Sequence, residues 1–144
     1  ILLKNNIIDA IINIGGDIYV IGTKSPNESW TIAVPDANKN YVKITIEPNE
    51  AIATSGVYAR SRVDDHKLQH HIINPKTGKP AEGFYSATVI HHDPYLADAA
   101  ATALIISNSD TYKDIAAAMQ VDKYILTDKN NKQIISAAIS ARLR

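Results

Sequence analysis

YVKITIE, residues 41–47, is the stretch on which the fold class turns. Val42, Ile44 and Ile46 fall on one side of an extended chain and Lys43, Thr45 and Glu47 on the other, the period-2 pattern of a half-buried strand. Working backwards, WTIAVP (30–35) reads as another strand, ended by its proline, and IYVIG (18–22) as a third. Ala10 to Ile14 reads as a buried strand that follows a helix end and stops at Gly15-Gly16. Working forwards, AIATSGVYAR (51–60) starts extended and bends at Gly56, and FYSATVIHH (84–92) is a further strand. KYILTD and KQIIS flank Lys129-Asn130-Asn131 as a hairpin.

Helices are fewer. LADAAATALIIS (96–107) is alanine-rich, with Leu96, Ala99, Ala100, Ala103 and Leu104 along one side, and Tyr112 to Met119 reads as a shorter helix. The tail to Arg144 ends basic and reads as surface. Strands that follow one another through turns, without helical crossovers, imply an α+β fold with a largely antiparallel sheet. Its 144 residues suit one domain, residues 1–144, large enough to bury a core without a staple.

Composition narrows the chemistry. The absence of cysteine rules out disulfides, thiolate metal sites and thiol catalysis. Fifteen basic residues balance fifteen acidic ones with no basic stripe, so nothing favours nucleic acid. No apolar run approaches the roughly 20 residues of a membrane span.

Asp98 and Thr102 stand four apart on the alanine-rich helix and project from one face. A carboxylate and a hydroxyl are hard oxygen ligands of the kind Mg²⁺ takes. The bland alternative is a helix-capping acid and a tolerated interior threonine. The histidines give less. His70-His71 and His91-His92 are adjacent pairs, and neighbours on a strand point to opposite faces, so neither pair chelates one metal. Zinc held by one His of each pair with Asp93 or Asp65 is a weak pattern without HExxH-like spacing; His66, His91 and His92 read better as hydrogen-bonded turn residues. His71 precedes a turn stiffened by Pro75 and Gly78, the support a catalytic or ligand-gripping His needs, although a lone His before a turn is more often structural. NIGGDIYVIG lacks the GxGxxG spacing of a dinucleotide fold, so its glycines serve close approach of backbone or ligand. Thr54-Ser55-Gly56 is able to present backbone N–H groups and hydroxyls to an anion, although small polar turns are common without function.

In order, NIGGDIYVIG, W-x-I-x-V-P, AIATSGVYAR, HHIINPKTG and SATVI…ADAAATALI resemble the C-terminal half of the ApbE family, the FAD:protein FMN transferases. The resemblance implies an α+β, T-fold-like architecture and a protein that binds FAD and Mg²⁺. It further implies transfer of FMN to a Thr or Ser hydroxyl of an acceptor protein with release of AMP, or, in some members, hydrolysis of FAD to FMN and AMP. Acceptors of the family belong to redox and electron-transfer systems. Members commonly work on the extracytoplasmic side of the membrane as lipoproteins, so contact with membrane would come only through an N-terminal lipid anchor.

By position, the resemblance implies Mg²⁺ ligands at Asp98 and Thr102, an activity-linked histidine at His71 and an FAD-lining residue at Ile72. It implies flavin-site blocks at Thr54, Ser55 and Gly56 and at Asn13, Gly15 and Gly16. Two positions depart from the pattern: Asn74 stands where Asp is common, and Ala101 where some members carry a further acidic ligand. The family's N-terminal half, which supplies much of the flavin pocket, would lie upstream of Ile1. A non-catalytic flavin-binding or structural module is the competing reading.

Overall fold

A computed structural model describes residues 1–35, 41–58, 61–64 and 67–143. After a 3-10 turn at Leu3–Asn5, the strands are β1 (Ala10–Ile14), β2 (Asp17–Ile21), β3 (Trp30–Pro35), β4 (Tyr41–Ile46), β5 (Ala51–Gly56), β6 (Ser61–Asp64), β7 (Lys67–His70), β8 (Ile73–Asn74), β9 (Lys79–Pro80) and β10 (Ser86–His91). Helices α1 (Pro94–Ile106) and α2 (Tyr112–Ala118) follow, then β11 (Tyr124–Thr127), β12 (Gln133–Ile135) and α3 (Ala137–Ser140). The α+β expectation holds. A six-stranded sheet runs β1-β2-β5-β10-β11-β12, and every neighbouring pair is antiparallel. Ala59, Arg60, Asp65 and His66 lie outside the described residues, so the end of AIATSGVYAR and any role of Asp65 or His66 do too.

Each face of the sheet buries its own core. On one face α1 lies over β5 and β10. Its buried residues are Ala97, Ala100, Ala101, Leu104 and Ile105, against Ala51, Ala53, Ala87 and Val89 of the sheet. Small side chains on both partners let helix and sheet approach closely. The buried stripe is therefore rotated from the one expected: Ala99 is exposed, Leu96 and Ala103 are half-buried, and Ala101 is fully buried. On the other face the separate β3–β4 hairpin packs Ile32, Val34, Ile44 and Ile46 against Val20, Ile52, Ile90, Ile125 and Ile139. The alternation of YVKITIE is observed, since Ile44 and Ile46 are fully buried.

Two other expectations need correction. β1 is not a buried strand. Among the described residues it is the sheet's edge, paired to β2 alone, with Ile11 and Ile14 exposed. Nor is the tail simply surface. Glu50 is 1% exposed and forms ion pairs with Lys123 (3.0 Å) and Arg142 (2.6 Å). The Glu47 N–H also donates to the Glu50 carboxylate at 3.0 Å. Burial pushes the Glu50 carboxyl upward, but these donors and cations outweigh it and hold it below the usual glutamate range. Ile139 is fully buried and Leu143 bridges to Ile44, so the C-terminal segment is packed onto the β3–β4 side.

Candidate functional site

Strand alternation decides which side chains reach α1. The registers Ile14↔Asp17, Ile12↔Tyr19 and Tyr19↔Ala51 put Ile12, Ile14, Asp17, Tyr19, Ala51 and, two pleats on, Ala53 and Ser55 on the α1 face. α1 begins at Pro94, with Asp93 as its N-cap accepting from Tyr95 N–H (2.9 Å) and Leu96 N–H. Asp98 is exposed in the second turn and Thr102 is half-buried one turn later. Ser55 Oγ and Thr102 Oγ1 share a hydrogen bond of 2.9 Å, joining β5 to α1 beside Asp98.

The sequence reading passes over Asp17, which completes this group. Partial burial and the negative charge of Asp98 push the Asp17 carboxyl up, while a hydrogen bond from the Thr54 N–H pulls the other way. Asp17 thus lies on the α1 face of the sheet within the influence of the Asp98 charge. The available signal was the strand period of DIYVI, which puts Asp17 on the same face as Tyr19.

The Gly15-Gly16 turn delivers Asp17 to that place. It is the two-residue loop of the β1–β2 hairpin, with Ile14 and Asp17 as the closing pair. Both glycines have positive φ, 68° and 113°, and Asn13 Oδ1 accepts from the Gly16 N–H at 3.0 Å. No protein atom lies close to either, so the close backbone approach expected of them is not found and their requirement is conformational. Gly56 differs: a side chain there would collide with the Tyr58 ring, which stacks 5.4 Å from Tyr85. Thr54 faces the opposite side, where its hydroxyl bonds Thr88 Oγ1 at 2.9 Å. There a cleft of about 210 Å³ is lined by Gly16, Ile18, Val34, Ile52, Thr54 and Tyr58.

The group so assembled contains Asp98, Thr102 and Ser55, with Thr54, Gly15 and Gly16 attached through Asp17. Gly56 ends β5 beyond Ser55, and the group does not reach His71 or Ile72. Ile72 is 5% exposed, a member of the α1-side core whose carbonyl accepts from Ala81 N–H at 2.9 Å. His71 is exposed between β7 and β8 and shares no hydrogen bond or ion pair with the Asp98 group. Its turn is braced as expected. Asn74 Oδ1 accepts from Lys76 N–H (2.9 Å), and the Asn74 carbonyl accepts from Gly78 N–H (2.8 Å). Asn therefore performs the turn work here without a charge. His70 is the more enclosed histidine, with Nε2 3.0 Å from the Ala81 carbonyl, an arrangement that requires the proton on Nε2. A roomier depression of about 800 Å³ is lined by Gln69, His70, Lys79, Glu82, Tyr85 and Lys129 and contains none of the Asp98 group.

Asp98 and the Ser55 and Thr102 hydroxyls offer only oxygen atoms, and a cation held by Asp98 would offset the charge that it presents to Asp17. The set fits Mg²⁺ better than zinc. Among the described residues no three His, Asp or Glu side chains converge as a metal cluster, so the weak zinc pattern finds no support. Asp93 is occupied as a cap, and His91 Nδ1 accepts from the Asp93 N–H at 3.0 Å. Ala101 faces the core, so an acidic residue at that position would not point toward Asp98. Among the described residues, no helix is long and apolar enough to cross a membrane.

The sequence model of the ApbE family matches residues 1–125. A Rhodobacter capsulatus protein named FAD:protein FMN transferase is 32% identical over 137 residues, covering 94% of this chain and 26% of the relative. A Vibrio cholerae protein of the same name is also 32% identical, over 143 residues, covering 95% of this chain and 43% of the relative. The crystal structure of the ApbE protein from Thermotoga maritima superposes with a TM-score of 0.83 at 29% identity, covering 94% of this chain and 45% of that one. This chain thus spans less than half the length of these relatives.

Proposed function

This chain belongs to the ApbE family, and from that premise we propose that it forms one part of a Mg²⁺-dependent FAD:protein FMN transferase. The observation that carries the reading is the Ser55–Thr102 contact. Through it the Thr54-Ser55 block, the Gly-Gly-Asp hairpin and the Asp98–Thr102 helix face meet at one place.

Asp98 and Thr102 would hold the cation, with Asp17 as the second negative charge facing it. Bound there, Mg²⁺ supplies charge neutralisation to the pyrophosphate of FAD. In the proposed reaction the acceptor's Thr or Ser oxygen bonds to the FMN-side phosphorus. The bond from that phosphorus to the bridging oxygen breaks, and AMP leaves. The hydroxyl proton passes to a base, for which His71 is the candidate, since a neutral imidazole is a competent acceptor near pH 7. Its exposure leaves it free to meet a ligand. Placement on the extracytoplasmic face of a membrane and a redox-system acceptor belong to the same reading and rest on resemblance.

The test is FMN transfer from FAD to a threonine-bearing acceptor, read by the acceptor's mass, using this chain joined to the remainder of a relative. Asp98→Ala should abolish the mass gain; unchanged transfer removes the metal assignment. An unmodified acceptor with FMN and AMP in solution would instead indicate FAD pyrophosphatase. The competing reading, a structural module, predicts neither FAD binding nor activity even after joining.

A further inference from the structure

Tyr95 is 86% exposed in the first turn of α1. Among the described residues its hydroxyl shares no hydrogen bond and its ring stacks on no other ring, whereas Phe84 and Tyr124 both pack on Tyr112, and Tyr58 packs on Tyr85. The backbone beneath it is fixed all the same. Pro94 opens the helix, and the Tyr95 N–H is held by the Asp93 carboxylate. Helix spacing then aligns Tyr95, Asp98 and Thr102, at i, i+3 and i+7, along one ridge with the exposed Ala99 beside them. Side chains at i and i+3 start about 5–6 Å apart, so a large ring stands in water next to the candidate cation site.

We infer that Tyr95 is a docking residue for the second substrate, the polypeptide that presents the Thr or Ser hydroxyl, and that its ring carries the acceptor backbone beside the modified residue. The inference rests on the flavin-transfer reading of the Asp98 face. The surroundings select a polypeptide over a nucleotide. Small ligands bind in concave sites, and neither of the clefts described above is lined by Tyr95. A protruding tyrosine on open surface is instead the residue type that anchors contacts between proteins. The lengths also agree. An extended chain advances about 3.3 Å per residue, so a peptide group two residues from the attacking hydroxyl lies about 7 Å from it, within reach of a ring one helical turn from Asp98. Ala99, exposed and small, leaves flat ground for that chain to cross the ridge.

The test uses this chain joined to the unmatched portion of the Vibrio cholerae protein, with a protein that this relative flavinylates as the acceptor. Tyr95→Ala should raise the KM for the acceptor roughly ten-fold, the scale of a lost interface anchor, and leave the KM for FAD unchanged. Tyr95→Phe should keep the wild-type values, because the ring makes the contact. Tyr41→Ala, at an exposed tyrosine of the β3–β4 hairpin, should change neither constant. Calorimetric binding of the same acceptor, with alanine at its modified position and no FAD present, should weaken by the same factor in Tyr95→Ala. This second readout needs no transfer. Weakened binding without flavinylation by the wild type would sink the transferase reading and keep the docking residue; intact transfer with an unchanged acceptor KM would do the reverse. A raised KM for FAD alone would assign the ring to the nucleotide and overturn the inference, as would an acceptor that the wild type does not bind.

Discussion

Ser55 Oγ and Thr102 Oγ1 lie 2.9 Å apart, a hydroxyl pair that fastens the central strand β5 to helix α1 one turn from Asp98. Thr102→Val keeps the side-chain shape and removes that hydroxyl. Stability should fall by about 1 kcal/mol, the net worth of one hydrogen bond. Affinity for Mn²⁺, read by the fall in free-ion paramagnetic resonance signal, should fall roughly ten-fold, the scale of an altered coordinating or supporting group. Equal affinity in wild type and variant would place the cation elsewhere.

Asp17 gives a prediction with two opposite signs. Its carboxyl is raised in the folded protein by partial burial and by Asp98. A raised carboxyl costs stability as pH climbs from the ordinary aspartate value of about 3.9 through the higher folded value. Asp17→Asn removes that cost, so without divalent cations it should melt higher than wild type at pH 7. With Mg²⁺ present the order should narrow or invert, because the variant has lost a negative charge facing the ion. Melting curves with EDTA and with Mg²⁺ check both signs.

Glu50 behaves the other way. Its folded value lies below the usual glutamate range, so its stabilisation is present above about pH 4.3 and is lost as pH falls through the folded value. Glu50→Gln should flatten that part of the acid unfolding curve. Glu50→Ala, which strands Lys123 and Arg142, should cost about 3 kcal/mol in urea unfolding, the low end for a buried pair because both cations reach solvent.

Ala101 separates resemblance from geometry. It is fully buried beneath α1. Ala101→Asp should destabilise the fold by roughly 3 kcal/mol or more, as an unpaired buried charge does, without strengthening Mn²⁺ binding. Tighter Mn²⁺ binding with an unchanged melt would show that position 101 faces the cation.

Much of the fold was legible because strand alternation is local. YVKITIE and WTIAVP declare their buried faces within a few residues, Gly15-Gly16 declares a strand end, and Lys129-Asn130-Asn131 declares its hairpin. What was not local was not legible. Alternation does not say that β3 and β4 leave the main sheet. The Glu50–Arg142 pair joins residues 92 apart, and no nearby signal marks Arg142 as anything but a surface charge. Ile11, Ile12 and Ile14 read as buried because they are apolar, yet nothing within one strand says that β1 lies at the sheet's edge. At the candidate site, helix spacing made legible that Asp98 and Thr102 stand one turn apart on α1. Asp17 was hidden in a hairpin whose glycines drew the reading to the turn.

The central claim is that the Asp98–Thr102 face, tied to Ser55, holds the cation for flavin transfer. The most direct measurement is the mass of a threonine-bearing acceptor protein after incubation with FAD, Mg²⁺ and this chain joined to the unmatched portion of a relative. The account predicts one added FMN with the wild-type sequence and none with Asp98→Ala. An acceptor flavinylated equally by both would contradict it.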